Sequence, residues 1–136
     1  MKSAWRDTTA LITKDGSTIR ELMHPAIHGN RLQSLAEATV LPDASTQLHR
    51  HQTTEEIYHF TAGTGRMRLG DEEFAVTAGE TASAPSLARG PRLDPIGDTV
   101  CIPPGTAHRL HNTGQEPLRL LCSCSPPYSD ADTELL

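Results

Sequence analysis

The stretch HRHQTTEEIYHF, His49 to Phe60, carries the reading of this chain. In an extended strand successive side chains alternate between faces, so His49 and His51 share one face. Gln52 to Glu55 is long enough to form a turn, and Glu56 begins the next extended piece. Cross-strand neighbours in an antiparallel pair come within about 5 Å, which lets Glu56 face the two imidazoles. Glu55 competes for that role, because the two glutamates point to opposite faces if both lie in the strand. Tyr58 and Phe60 share the parity of Glu56, and His59 has the opposite parity. Alone, His-x-His reads as a pair of exposed strand histidines. Its surroundings change that weighing.

Downstream, GDTVCIPPGTAHRLHN (residues 97–112) places His108 three residues after the rigid Pro103-Pro104-Gly105 turn. Three neutral imidazoles and one carboxylate suit a first-row divalent metal, with positions left open for water or substrate. A barrel interior is normally filled by apolar side chains. Several polar groups pointing inwards need mutual satisfaction or an ion to offset their desolvation. His49, His51, Glu56 and His108 are therefore the candidate ligands.

The rest of the chain is read from its breakers. Ten glycines and ten prolines divide it into short apolar pieces. Asp15-Gly16 marks a hairpin between two extended pieces spanning Leu11 to Leu22. Gln33 to Leu41 ends in Thr39-Val40-Leu41 before Pro42, which favours a strand. Further extended pieces cover Arg66–Leu69, Glu73–Thr77, Thr99–Ile102, His108–His111 and Leu118–Ser125. Short strands at regular intervals with turn chemistry between them predict an all-β barrel or sandwich. Glu80 to Ile96, rich in Ala, Ser, Pro and Arg, breaks this rhythm. It reads as an insertion, either a lid or partner contact or a tolerated mobile loop.

Composition bounds the class. A chain of 136 residues is expected to be one domain (1–136). Three cysteines, Cys101, Cys122 and Cys124, make no disulfide framework and read as buried free thiols. Met1 to Asp7 is polar and nothing approaches a membrane span, so the expected compartment is the cytoplasm. The net charge is −5 with scattered arginines, which argues against a nucleic-acid partner. His24, His28, His59 and His111 are expected on the surface. The C-terminal Tyr128–Leu136 either packs back or stays loose.

The two motifs together resemble the cupin superfamily. Its first motif, Gly-x5-His-x-His-x3-4-Glu-x6-Gly, is matched over about residues 43–63 by His49, His51, Glu56 and Gly63, with Asp43 in place of the leading glycine. The second, Gly-x5-Pro-x-Gly-x2-His-x3-Asn, is complete as Gly97, Pro103, Gly105, His108 and Asn112. The resemblance implies a jelly-roll (double-stranded β-helix) barrel, one divalent transition metal (Fe, Mn, Ni, Cu or Zn), a small-molecule substrate and a homodimer. Members of the superfamily include dioxygenases, isomerases, lyases and non-catalytic binding proteins, so the fold leaves the reaction open. The leading expectation is oxygenase-type chemistry. Glu56 is a ligand or catalytic base, and Tyr58, Phe60, Arg66 and Arg68 shape the pocket. The alternatives are a lyase or sugar-isomerase-like enzyme, or a binding protein without turnover.

Overall fold

The structure, a computed structural model, describes residues 1–79 and 97–136. The expected insertion at 80–96 lies outside the described residues. Alternation builds the strands: β3 (Ser34–Val40) buries every second residue, as do β10 (Leu118–Ser125) and β5 (Glu55–Ala62). These pair antiparallel with β1 (Ala10–Ile12), β2 (Thr18–Met23) and β8 (Thr99–Ile102) in a six-stranded sheet ordered β1-β2-β3-β10-β5-β8. The second sheet, ordered β11-β4-β9-β6-β7, holds β4 (His49–His51), β6 (Thr64–Leu69), β7 (Glu72–Thr77), β9 (His108–Asn112) and β11 (Thr133–Leu135).

Two sheets with one apolar face each bury those faces against one another. Phe60, Met67, Ile102, Leu110, Leu118 and Leu120 form the fully buried centre of this core. The all-β jelly-roll expected from the sequence is the observed architecture. Helix is confined to short pieces, of which Pro25–His28 is the single α-helical turn among the described residues.

The turns explain the motif glycines. Asp43, standing where the first motif has glycine, adopts φ 61°. That is the left-handed region, which Asp tolerates better than most side chains because it is short and can bond its own backbone. Asp43 therefore takes a backbone conformation that glycine adopts without strain. Gly105 sits at φ 78° between Pro103 and Thr106, whose N–H donates to the Pro103 carbonyl at 3.2 Å. This turn needs glycine at its third position. Gly105 N–H also donates to the His51 carbonyl at 2.6 Å, so the second motif's turn is pinned to the first motif's histidine. Gly97 has no room for a side chain, since a Cβ there would overlap the Phe60 carbonyl oxygen.

Asn112 closes the second motif as a bracket between sheets. It is fully buried, its Nδ2 donates to the carbonyls of Val40 and Glu116, and its Oδ1 accepts from Gly114 N–H. Such a buried amide is tolerated only because its donors and acceptor are all used.

Candidate metal centre

Register brings the four candidate ligands together. His49 and His51 are the two inward residues of β4, and His49 lies directly opposite His108 of β9. Glu56 is the first inward residue of β5 in the facing sheet. One ligand atom from each of His49, His51, Glu56 and His108 lies within 4.8 Å of all the others. All four side chains are buried, and His108 is fully so. Glu55, the competing glutamate, is exposed.

The outer nitrogen of each imidazole decides what its inner nitrogen can do. His49 Nδ1 lies 2.7 Å from the Gln47 carbonyl, and His108 Nδ1 lies 2.9 Å from the Thr106 carbonyl. A carbonyl only accepts, so both Nδ1 atoms carry the proton. His51 Nδ1 lies 3.1 Å from Thr133 Oγ1, whose own hydrogen goes to the Ser129 carbonyl at 2.9 Å. That hydroxyl therefore accepts, and His51 Nδ1 donates as well. In their neutral form, rings fixed in this way present three Nε2 lone pairs to one interior point.

Those lone pairs meet another acceptor. Glu56 Oε2 lies 3.1 Å from His51 Nε2 and 3.4 Å from His108 Nε2. His108 Nε2 is buried with no hydrogen-bond partner, a costly state in a dry interior. Four electron-pair donors converging with no positive charge between them repel one another. A divalent cation satisfies all four at once, and outer-nitrogen partners of this kind orient metal-binding histidines. The residues present thus fit a first-row metal.

Without an ion the cluster must share protons. Burial pushes the Glu56 carboxyl upwards, but His108 and His51 beside it outweigh burial and hold it down at about 2. Burial opposes charging of His51, yet its contact with Glu56 prevails and raises it above 6.5. Burial and His108 lower His49. Glu56 therefore contributes stability that is full above about pH 4.5 and is lost as pH falls through about 2. His51 contributes stability present below pH 6.5 and lost as pH rises through its folded value. His49 acts oppositely, disfavouring the fold below pH 6.5.

Several neighbours had no signal in the sequence motifs. Cys124 is the register partner of Glu56, and its Sγ lies 3.5 Å from Glu56 Oε1. Burial and Glu56 push both the Cys124 and Cys122 thiols up, so they remain protonated. The expectation of buried free thiols holds for these two, whereas Cys101 is free but exposed, being on the outer face of β8. The C-terminal segment packs back. β11 pairs with β4 and brings Thr133 to His51, and the Tyr128 ring stands edge-on to His51 at 5.9 Å. Asp15, on the first hairpin, reaches the centre with Oδ2 3.7 Å from His49 Nε2. Replacing Thr133 by Val removes the acceptor that fixes His51. Metal affinity is expected to fall about 10- to 100-fold, measured by competition with a chromophoric chelator.

The expected pocket residues divide. Tyr58 lines the cavity beside the four ligands, and its ring meets that of His108 at 6.0 Å. Phe60 does not line it; the ring lies one layer deeper, fully buried in the core. Arg66 and Arg68 do not line it either. In β6 the inward residues are Gly65 and Met67, so both arginines stand on the outer face, in a groove with Glu73, Arg109 and His111. Arg66 pairs there with Glu73 at 3.5 Å. His59 and His111 face outwards as expected, bonded to Thr99 and Ser45. His24 caps the short helix and bonds the Tyr128 carbonyl.

The model of the family described as "Cupin domain" matches residues 36–89. The chain is also 43% identical over 136 residues, all of its length and 94% of the relative's, to the uncharacterized protein MJ1618 of Methanocaldococcus jannaschii. The chain belongs to the cupin family. Auxin-binding protein 1 of Arabidopsis thaliana is 30% identical to this cupin over 111 residues, 78% of the chain and 51% of that protein. The chain thus spans about half of that relative. Among solved structures, a predicted oxalate decarboxylase from Thermotoga maritima has TM-score 0.70 at 18% identity, covering 93% of this chain and 99% of that one. At that identity the likeness is one of fold. Among the described residues no helix is long and apolar enough to cross a membrane.

Proposed function

We propose that this cupin, as one domain over residues 1–136, binds a single divalent transition metal on His49, His51, Glu56 and His108. The metal-loaded protein then acts on a small organic molecule by oxygenase-type chemistry. The observation that carries the reading is the set of four buried ligand atoms within 4.8 Å of one another, three of them imidazole nitrogens whose outer partners leave only lone pairs inside. A bound metal would supply Lewis acidity, polarising an oxygen of the substrate, and with Fe, Mn, Ni or Cu also a route for dioxygen chemistry. The chain's residues do the rest. Gln47, Thr106 and Thr133 hold the three rings in place. Glu56 completes the set or releases an oxygen as catalytic base, and its partner Cys124 Sγ lies against Oε1. Tyr58, Leu120 and Ala38 give the cavity apolar walls that exclude water.

Two measurements test this. Elemental analysis of protein purified without added metal should give about one transition-metal ion per chain. Oxygen-uptake screening with enolisable and phenolic compounds should then find a substrate that consumes dioxygen. Metal without oxygen uptake would move the assignment to a lyase or isomerase, and protein that binds no metal would end it. A second reading, binding without turnover, is favoured by the resemblance to a plant protein named for binding auxin. It predicts saturable ligand binding with no product under any oxidant.

Metal binding should depend on pH in a defined direction. Metal must displace the proton that Glu56 helps His51 to hold, so it competes with acid. The rise in melting temperature on adding one equivalent of Zn²⁺ or Mn²⁺ is expected to be small near pH 5.5 and larger near pH 8. A metal-induced rise that shrinks with increasing pH would contradict the ligand assignment.

The proposed compartment is the cytoplasm and the proposed assembly a homodimer. Leu35 and Ile57 lie on the outer face of the six-stranded sheet and Leu11 and Ile12 on its edge strand, all of them exposed. Pairing two copies along such a face and edge would protect it.

A further inference from the structure

The cavity beside the four ligands has an unusual charge inventory. Three carboxyl groups line it, Asp15, Glu21 and Glu56, and among the described residues no arginine or lysine does. Its volume is about 50 Å³. Since one water needs roughly 10–15 Å³ by the same measure, a ligand of roughly three to five heavy atoms fits.

Asp15 is built into this wall and not merely close to it. It is buried on the hairpin between β1 and β2. Oδ1 accepts from Thr13 Oγ1 at 2.8 Å, Ser17 N–H at 3.0 Å and Ser17 Oγ at 2.7 Å. These three donors saturate one oxygen and fix the plane of the carboxylate. The other oxygen, Oδ2, is left facing the centre, 3.7 Å from His49 Nε2. That nitrogen is an acceptor in the tautomer fixed by Gln47, so it offers Oδ2 no hydrogen. The hairpin is held in turn from the β4 side, where Gln47 N–H donates to the Asp15 carbonyl at 2.8 Å. An oriented acceptor to which no side chain donates can take a hydrogen from the ligand, and Glu21 Oε2, which lines the same cavity, is buried with no partner either among the described residues.

We propose that Asp15 selects the ligand: the cavity takes a small uncharged molecule carrying a hydroxyl group, whose hydrogen Asp15 Oδ2 accepts, and disfavours carboxylates and phosphates. This rests on the metal-site reading above and deepens it by naming the ligand class. Charge counting gives the same answer. A divalent ion is balanced by Glu56 and Asp15, and the third carboxyl, Glu21, which burial pushes up, adds no positive charge, so a neutral ligand is the one that brings no excess negative charge into the site. An anion adds a negative charge that no arginine or lysine among the described lining residues offsets, and its oxygens face the Asp15 carboxylate. Asp15 lies outside both sequence motifs and is a positioning and specificity residue for the ligand.

Hydroxyacetone and glycolate form a matched pair for the test. Each has five heavy atoms with a hydroxyl beside a carbonyl carbon, and they differ only in a methyl group against a charged oxygen. Calorimetric titration of the full-length protein, as purified and after loading with one equivalent of Mn²⁺, reads both affinities alongside metal content. Hydroxyacetone is expected to bind at least tenfold tighter than glycolate. In Asp15→Asn, with its melting curve checked, that preference should shrink by tenfold or more. Equal or tighter glycolate binding by the natural protein overturns the proposal without reference to any variant. Absence of saturable hydroxyacetone binding up to tens of millimolar overturns it too, as does an unchanged ratio in a folded Asp15→Asn protein. Absence of metal would sink the metal-site reading instead, and the ratio would still report on Asp15 in the metal-free cavity.

Discussion

Replacing His108 by Ala is expected to abolish stoichiometric metal binding while leaving a folded protein. His108 is the candidate ligand with the fewest alternatives: it is fully buried, its Nδ1 is committed to the Thr106 carbonyl, and its Nε2 has no partner among the described residues. Loss of groups that merely orient a ligand costs about 10- to 100-fold in affinity, so loss of the ligand itself should exceed about 100-fold. The fold should survive, because β9 keeps its pairing with β6 and the loss of His108 removes no group from the apolar core. His111→Ala is the control on the same strand. Its ring faces outwards to Ser45 Oγ, and metal affinity should not change. Chelator competition and elemental analysis measure both proteins. Stoichiometric metal retained by His108→Ala would refute the four-residue site.

The candidate ligands were legible because they are encoded locally. Two histidines at i and i+2 and a glutamate one turn later fix three of four positions by strand alternation alone, and the observed burial pattern of β4 and β5 follows that alternation. The substitution of Asp43 for the motif glycine was legible as a turn, but its left-handed backbone was not. What surrounds the ligands was hidden, because it arrives through pairing between distant segments. Thr133 reaches His51 only because β11 lies beside β4, and Asp15 reaches His49 only because the first hairpin folds over the cavity. Nothing in either local sequence indicates such a partner.

The arginines show how parity fails across a turn. Counting faces within one strand is secure, but Gly63-Thr64 resets the count between β5 and β6. The residue that must face inwards is Gly65, where a Cβ would come within 2.7 Å of the His111 carbonyl oxygen and of the Leu118 side chain. Only glycine fits such an approach between backbones, and Arg66 and Arg68 are turned outwards as a result. The Gly63-Thr64-Gly65 sequence held that information, but reading it required knowing which strand passes behind.

Phe60 separates a cavity wall from a core, and Phe60→Ala is expected to lower stability by about 3–5 kcal/mol. The ring is fully buried, opposes Leu120 across the β5–β10 pair, and meets the Tyr58 ring edge-on at 6.4 Å. Its backbone is enclosed as well, with its N–H donating to the Asp98 carbonyl at 3.0 Å. The strands around it cannot collapse freely to fill the void. For a domain whose total stability is about 5–15 kcal/mol, such a loss should lower the melting temperature by roughly 10–20 °C. Metal affinity in the folded fraction should stay within a few-fold of the natural protein, since Phe60 does not line the cavity. Thermal unfolding by circular dichroism, paired with chelator competition at low temperature, reads the two quantities separately. The opposite result, an unchanged melting curve with metal or ligand binding lost, would mean that Phe60 belongs to the site and that the core is held by the residues around it. A ring at this depth instead supports the site from below: Tyr58 and Glu56 stand on the same strand face as Phe60, and Tyr58 and Leu120 belong both to the core and to the cavity wall, so loss of the ring weakens the fold before it reaches the candidate ligands.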